Sequence, residues 1–313
     1  MKLLYPTSIE LDLRPVLGAE LHPYDPGRPV PAEHLDAQAL VVWGNPPERM
    51  QDAATRLLSL RWVQALASGP DAVLGAGFAS DVVITSGRGT QALPVSEHAL
   101  AMLLAGARRL HELRDAQRES RWAGHHGGLQ PLRDPHSFRT LIGAHVMIWG
   151  LGHIGRRLAG YLRAMEAQVT GVATTAGERG GVRVVGLDDV DSVLPQVDAV
   201  VMVLPATPAT RHVLDRRRLA LLQPHAWLVN VGRGATVDEA ALAEALAAGR
   251  LGGAALDVFE VEPLPSNSPL WNLPNVILSP HAAGGRPMGA GALIERNLRA
   301  FLAGEPLENV VAR

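Results

Sequence analysis

With 313 residues, 47% of them hydrophobic and 19% charged, the chain is long and apolar enough to bury two cores and is not intrinsically disordered. A formal net charge of -2 supplies none of the clustered basic charge that nucleic acid or an acidic membrane surface demands, so neither is an expected partner. The absence of cysteine excludes a disulfide scaffold, a thiolate metal site and a cysteine nucleophile.

The first apolar run stops at Pro6 and is followed by Glu10 and Asp12, which is not the pattern of a signal peptide. No apolar stretch approaches the roughly 18 residues of a membrane span, and the expected compartment is the cytoplasm. Residues 2–5 read as a short strand, and the Pro-rich segment after them as loop. Residues 39–43 (ALVVW) form a second strand, 56–60 the end of a helix, 62–66 (WVQAL) a third strand and 82–85 (VVIT) a fourth. Strands alternating with helical patterns imply a parallel sheet covered by helices.

The character changes at 94–113, where Glu97 and His98 lead into an Ala/Leu/Met run of helical spacing, expected to be one long helix. Residues 114–140 are polar and read as a surface arm anchored by Trp122. His125, His126 and His136 suggest a metal, but no carboxylate or further His stands at ligand spacing on an expected helix. They are read as solvated, and no metal is expected.

Residues 145–149 (HVMIW) have buried-strand composition and run directly into Gly150-Leu151-Gly152-His153-Ile154-Gly155, with helix expected over 156–165. Strand, G-x-G-x-x-G and helix in succession form the dinucleotide fingerprint. Gly150 permits the tight turn, Gly152 lets a pyrophosphate reach the backbone, and Gly155 lets the helix pack on the strand. The N–H groups of His153 and Ile154, at the positive end of the helix, are the expected phosphate donors. Strands follow at 169–172, 182–185, 199–204, 227–231, 253–258 and 276–279, with helices at 188–194, 216–222 and 238–248, the last closed by Gly249. That is a doubly wound nucleotide domain. A helix over 289–302 and an extended piece at 307–311 complete the chain.

From residue 95 onward the chain resembles the D-isomer-specific 2-hydroxyacid dehydrogenases, a family that includes glyoxylate/hydroxypyruvate reductases. The motifs are GLGHIG (150–155), LPATPATRHVLD (204–215), LVNVGRGATVDEAAL (228–242), ALDVFEVEPLP (255–265) and NVILSPHAAG (275–284). The first ninety residues match weakly, mainly at Ser68-Gly69-Pro70-Asp71. The resemblance implies an α/β fold of two Rossmann-like doubly wound domains. A dinucleotide-binding domain, 94–283, is inserted into a discontinuous substrate domain, 1–93 plus 284–313. It also implies a homodimer, formed through the nucleotide domain with helix 97–113 and the Trp122 arm at the interface.

Reduction of a small 2-keto acid needs a hydride donor, a proton donor, a cation for carbonyl and carboxylate, and a clamp for the other carboxylate oxygen. Within the matched motifs Arg233 is the expected cation, because its planar fork binds a 2-keto carboxylate in a bidentate manner that Lys cannot copy. His281 is the expected general acid and base. Glu262, before Pro263, would hold the imidazole and favour its charged form. Glu260 is the competitor two residues away, and Glu262 is preferred because it occupies the family position before the proline. The clamp would be the backbone N–H groups of Ser68 and Gly69, since Pro70 has none.

Among cofactor contacts, the resemblance assigns Asp257 to the nicotinamide carboxamide, Leu204 and Pro205 to the adenine side, and Val231, Gly232 and Ala283 to the nicotinamide half. NAD enzymes place an acid on the ribose 2′-hydroxyl about twenty residues after the glycines. Here Ala173 takes that position, followed by Thr174 and Thr175, with Arg179 nearby. NADP(H) is therefore the expected cofactor, with NAD(H) as the alternative. The expected function is hydride transfer between a nicotinamide cofactor and a small 2-keto or 2-hydroxy acid. An NAD(P)-sensing binding protein on the same fold and a short phosphoglycerate dehydrogenase are the competing readings. The pocket wall that selects the substrate would come from residues 43–45 and 286–288.

Overall fold

A computed structural model of the chain describes residues 1–131, 134 and 136–312. Of the expectations above, residues 132, 133 and 135 of the polar arm and Arg313 of the final segment lie outside the described residues. The chain divides into two compact units, one made of 1–91 with 284–313 and the other of 92–283. Among the described residues no helix is long and apolar enough to cross a membrane.

The first unit is a five-stranded parallel sheet. Its strands are β1 (Lys2–Pro6), β2 (Glu20–Tyr24), β3 (Ala39–Val42), β4 (Trp62–Ala65) and β5 (Val83–Thr85), in the spatial order β2-β1-β3-β4-β5. That order is doubly wound. Alternation along β3 shows how the sheet serves two faces. Leu40 and Val42 join Leu4, Val63 and Ile84 against helix α1 (Pro47–Arg56), through Met50 and Ala53. Ala39 and Val41 join Leu3 and Trp62 on the other face, against Ala290, Ile294 and Leu298 of the C-terminal helix. A one-turn helix, α2 (Asp71–Leu74), follows Pro70.

The second unit opens with α3 (Ala92–Ala107) and α4 (Leu110–Arg118). Its eight strands are β6 (His145–Trp149), β7 (Gln168–Val172), β8 (Gly177–Arg179), β9 (Val182–Val185), β10 (Ala199–Met202), β11 (Trp227–Asn230), β12 (Gly253–Leu256) and β13 (Val276–Leu278). They lie in the order β13-β12-β11-β10-β6-β7-β9-β8, and β8 alone runs antiparallel to its neighbour. Helices α5 (His153–Ala164), α6 (Val190–Val193), α7 (Arg216–Leu219) and α8 (Glu239–Ala247) cover the faces. Val146 and Ile148 of β6 pack with Leu103 of α3 and Leu158 and Leu162 of α5, while Met147 and Trp149 pack with Leu219, Leu242 and Leu246 on the opposite face. The tail helix α9 (Ala290–Ala303) belongs to the first unit and ends at Gly304, φ +71°.

Four expectations are corrected. The segment read as loop before residue 39 contains β2, whose sequence ELHPY lacks an apolar run. Among the described residues it pairs only with β1, so Pro23 is tolerated at a sheet edge. The expected long helix breaks at Arg109, in the left-handed region at φ +53°, and α4 continues to Arg118 within the supposed arm. The helix expected to end over 56–60 stops at Arg56. His126 is not solvated: α4 presents Glu112 to it, with Nε2 2.9 Å from Oε2 and the side chain 12% exposed. The carboxylate that the spacing argument lacked lies on the turn beyond the helix break. The residues 307–311 run along β5, with Val311 N–H donating to Ile84 O at 2.9 Å and Ser86 N–H to Asn309 O at 3.0 Å.

Trp227, fully buried on β11, fixes how closely α3 and β12 approach the sheet core. A Cβ on Gly106 of α3 would lie 2.5 Å from its Cε3, and one on Gly253 of β12 would lie 2.3 Å from its Cζ2. Overpacking there has no flexible side chain to displace. Gly106→Leu is expected to cost about 1–3 kcal/mol, read as a lowered urea midpoint. Gly160→Ala, at an exposed position of α5 with nothing within 4 Å of the added carbon, is expected to raise it by about 0.5–1 kcal/mol.

Candidate active site

The strand order of the second unit reverses between β6 and β10, and in such sheets ligands bind outside the carboxyl ends at that point. Gly150 leaves β6 at φ +108°, and a Cβ there would stand 2.6 Å from Val203 O at the end of β10. A Cβ on Gly155 would meet Gly150 O at 2.3 Å. Gly152, between them, has open space where its Cβ would be and starts α5 without a side-chain cap. The first N–H groups of the helix, including those of His153 and Ile154, have no intrahelical acceptor. The cradle thus fits a pyrophosphate.

Leu204 and Pro205 follow β10 after Val203, and Val231 N–H donates to Met202 O at 3.2 Å, drawing the β11 extension beside them. Gly232 N–H donates to Oδ1 of the buried Asn230 at 3.1 Å. At the end of β7, Ala173 is followed by exposed Thr174 and Thr175. Arg179, on β8, donates from Nη2 to Thr175 O at 3.1 Å. Ala173 thus stands where an acid would otherwise be, with two hydroxyl residues and a cation after it.

Arg233 directly follows Gly232, three residues beyond the carboxyl end of β11 at Asn230. Its carbonyl accepts from Thr236 Oγ1 (2.7 Å), Thr236 N–H (3.1 Å) and Asn230 Nδ2 (3.2 Å), while its Nη1 donates to Gly232 O at 2.8 Å. His281 follows β13, two strands away, which is roughly 10 Å at ordinary strand spacing. Its Nδ1 lies 2.7 Å from Glu262 Oε2, and Glu262 Oε1 accepts from Phe259 N–H at 3.0 Å. Glu260 is turned elsewhere. Its Oε1 accepts from Glu239 N–H (3.0 Å) and is 3.1 Å from His212 Nε2, and its own N–H donates to Glu239 Oε2 at 3.1 Å. Burial raises the Glu239 carboxyl above its usual range, an effect that the Glu260 backbone N–H opposes.

Asp257, at the end of β12, is 1% exposed at its side chain. Oδ1 accepts from Ser279 Oγ (2.5 Å) and Ala282 N–H (2.8 Å), and Oδ2 from Ala283 N–H (3.0 Å). His98 Nε2, from α3, lies 3.0 Å from Ser279 Oγ and 3.4 Å from Asp257 Oδ1. Burial alone would raise this carboxyl. The hydrogen bonds from His98, Ser279, Ala283 and Ala282 outweigh burial and hold it below the ordinary value. Asp257 thereby holds the Ser279 side chain before His281 and the backbone after it, while His281 N–H donates to Asp257 O at 2.8 Å and His281 sits in the left-handed region at φ +52°.

In the first unit, Ser68 and Gly69 lie just beyond the carboxyl end of β4. Among the described residues their backbone N–H groups have no protein acceptor. Ser68 Oγ donates to Gln91 Oε1, and Gln91 Nε2 donates to Leu66 O, so a buried glutamine shapes this turn. Sequence reasoning missed His98 and Gln91 as site residues. For His98 the available signal was polarity within an otherwise apolar helix; for Gln91 there was none.

Residues 100–283 match the family described as D-isomer specific 2-hydroxyacid dehydrogenase, NAD binding domain. The chain is 37% identical over 226 residues to glyoxylate/hydroxypyruvate reductase B of Pectobacterium carotovorum subsp. carotovorum, covering 69% of this chain and 68% of that one. It is 31% identical over 239 residues to D-3-phosphoglycerate dehydrogenase of Methanocaldococcus jannaschii, covering 74% of this chain but only 43% of that one. The chain thus spans less than half the length of that curated relative. Among solved structures, a D-isomer specific 2-hydroxyacid dehydrogenase from Xanthobacter autotrophicus Py2, in complex with NADPH and MES, superposes with a TM-score of 0.80. It is 32% identical, and the match covers 99% of this chain and 97% of that one. With two doubly wound sheets and a glycine cradle of this geometry, the chain belongs to the D-isomer specific 2-hydroxyacid dehydrogenase family.

Proposed function

We propose that the protein is an NADP(H)-preferring reductase of small 2-keto acids, working through Arg233, His281 and Glu262. The observation that carries this reading is the 2.7 Å His281–Glu262 pair at the carboxyl end of the sheet that also carries Arg233 and the Gly150–Gly155 cradle. A nicotinamide cofactor, when bound, supplies the hydride. His153 and Ile154 N–H would hold its pyrophosphate, Thr174, Thr175 and Arg179 its 2′-phosphate, and Leu204, Pro205, Val231, Gly232 and Ala283 its rings. Asp257 would be the acceptor for the carboxamide, through the remaining lone pair of Oδ2.

The guanidinium of Arg233 binds the keto acid's carboxylate and polarises its carbonyl. Glu262 Oε2 accepts a hydrogen bond from His281 Nδ1–H and orients the ring, and the protonated ring gives its Nε2 proton to the forming alkoxide. In the oxidation direction the neutral Nε2 takes that proton back. The division of the chain into a substrate domain (1–93 with 284–313) and a dinucleotide domain (94–283) is part of the same proposal. So is a homodimer, supported by Leu110, Leu113, Trp122 (95% exposed), Leu129 and Ile142 on the outside of 110–142. Cytoplasmic residence matches the intracellular supply of reduced cofactor.

Initial rates with NADPH and NADH, each against glyoxylate, hydroxypyruvate, pyruvate, 3-phosphohydroxypyruvate and a bulkier 2-keto acid, test the reading. Turnover with a clear NADPH preference is expected. Equal use of both cofactors would reject the reading of residues 173–175, and tight cofactor binding without turnover would reject the enzyme. Ala173→Asp should shift the NADPH/NADH ratio of kcat/KM toward NADH by about tenfold or more, a change of about 1.4 kcal/mol. His281→Ala should lose about 10²–10⁴ in turnover while cofactor affinity stays near normal; wild-type turnover would remove His281 from the mechanism. Asp257→Asn should lower the urea midpoint at pH 7 by an amount equivalent to about 1.5–3 kcal/mol. Because folding depresses the Asp257 carboxyl, that deficit should persist above the unfolded value, about pH 3.9. It should shrink as the pH falls through the lower folded value.

A further inference from the structure

The left-handed residue Arg109 restarts the chain into α4, so that Glu112 falls in its first turn and projects toward the arm that follows the helix. There a single 3₁₀ turn, Gly124–His126, carries two consecutive histidines to the same carboxylate. His126 Nε2 is 2.9 Å from Glu112 Oε2, and the His125 and His126 rings lie 4.0 Å apart, tilted by 43°. One ligand atom from each of Glu112, His125 and His126 lies within 4.8 Å of the other two.

Among the described residues, Arg109 and His111 also face this carboxylate. Arg109 Nη1 is 3.3 Å from Oε1, which leaves Oε2 on the histidine side. His111 Nε2 is 3.6 Å from Oε1, and its side chain is 11% exposed. Neither of its ring nitrogens has a well-formed hydrogen bond among the described residues. An ion pair accounts for His126 with Glu112. It leaves His125, next in sequence and with its ring 4.0 Å from that of His126, bringing a second imidazole nitrogen within 4.8 Å of the same carboxylate.

We propose that Glu112, His125 and His126 bind one divalent transition-metal ion of the zinc type, with the remaining position open to water. Two imidazole nitrogens and one carboxylate oxygen suit Zn²⁺, Co²⁺ or Ni²⁺, whereas Mg²⁺ and Ca²⁺ favour all-oxygen shells. Bonds of about 2.0–2.2 Å in a tetrahedral shell set ligand atoms roughly 3.4 Å apart. The site closes by side-chain rotation, since its atoms already lie within 4.8 Å. His125 is exposed, so the ion has a way in, and it clips the arm to α4.

The test titrates tag-free, chelator-stripped full-length protein with Zn²⁺ by calorimetry and with Co²⁺ by visible absorption. One ion per chain is expected, with the absorption of a tetrahedral Co²⁺ site and no competition from Mg²⁺ or Ca²⁺. Glu112→Gln and His126→Ala should each weaken binding at least about tenfold, and so should His125→Ala, whose exposed position leaves folding intact. His281→Ala should bind as wild type does. Retained NADPH binding and circular dichroism exclude misfolding as the cause. No stoichiometric binding, wild-type affinity in both Glu112→Gln and His125→Ala, or loss of binding in His281→Ala instead, would each overturn the proposal.

Discussion

The second unit depends on one steric constraint: at the end of β6 the chain must reverse within contact distance of the β10 backbone. A side chain at Gly150 would strike Val203 O, and one at Gly155 would strike Gly150 O. Only with both carbons missing can α5 start directly above β6 with its free N–H groups facing outward. That placement fixes the crevice. The segments leaving β10, β11, β12 and β13 then emerge on the same edge of the sheet, each bringing a different kind of group. Leu204 and Pro205 are apolar, Arg233 is cationic, Asp257 is a buried acid, and His281 is an imidazole.

Two carboxylates near that edge are separated in role by their partners. Asp257 accepts from Ser279, Ala282 and Ala283, donors that favour the anion and tie down the loop. Glu262 makes one backbone bond and otherwise faces His281. Glu260 lies between them in sequence and serves the start of α8 through Glu239. Spacing alone could not sort these acids, because a two-residue offset in a loop carries no fixed direction. Pairing required the turn geometry around Phe259.

Much of the fold was legible because buried parallel strands read as continuous apolar runs, and five of the eight second-unit strands, β6, β10, β11, β12 and β13, carry one. The fingerprint was legible because its glycines answer a local steric demand. What stayed hidden rests on non-local partners. β2 has a polar, Pro-containing sequence and exists through its pairing with β1. The break at Arg109 carries no glycine or proline to announce it. The nearness of Glu112 to His126 depends on that break, and Gln91 reaches Leu66 and Ser68 across more than twenty residues of sequence.

The sheet borders carry a consequence of their own. β2 has Pro23 within it, and β8 is the three-residue Gly177–Arg179 with two charged side chains. β5 is covered by the segment bridging Thr85 to Val310, and β13 is only three residues long. None of the four offers a long, flat, apolar row of open N–H and C=O groups onto which another chain could add a strand. Parallel sheets assemble slowly and expose such rows while they do. These borders therefore work against fibril growth and strand exchange between chains during synthesis, a hazard unrelated to the chemistry at the carboxyl ends of the central strands.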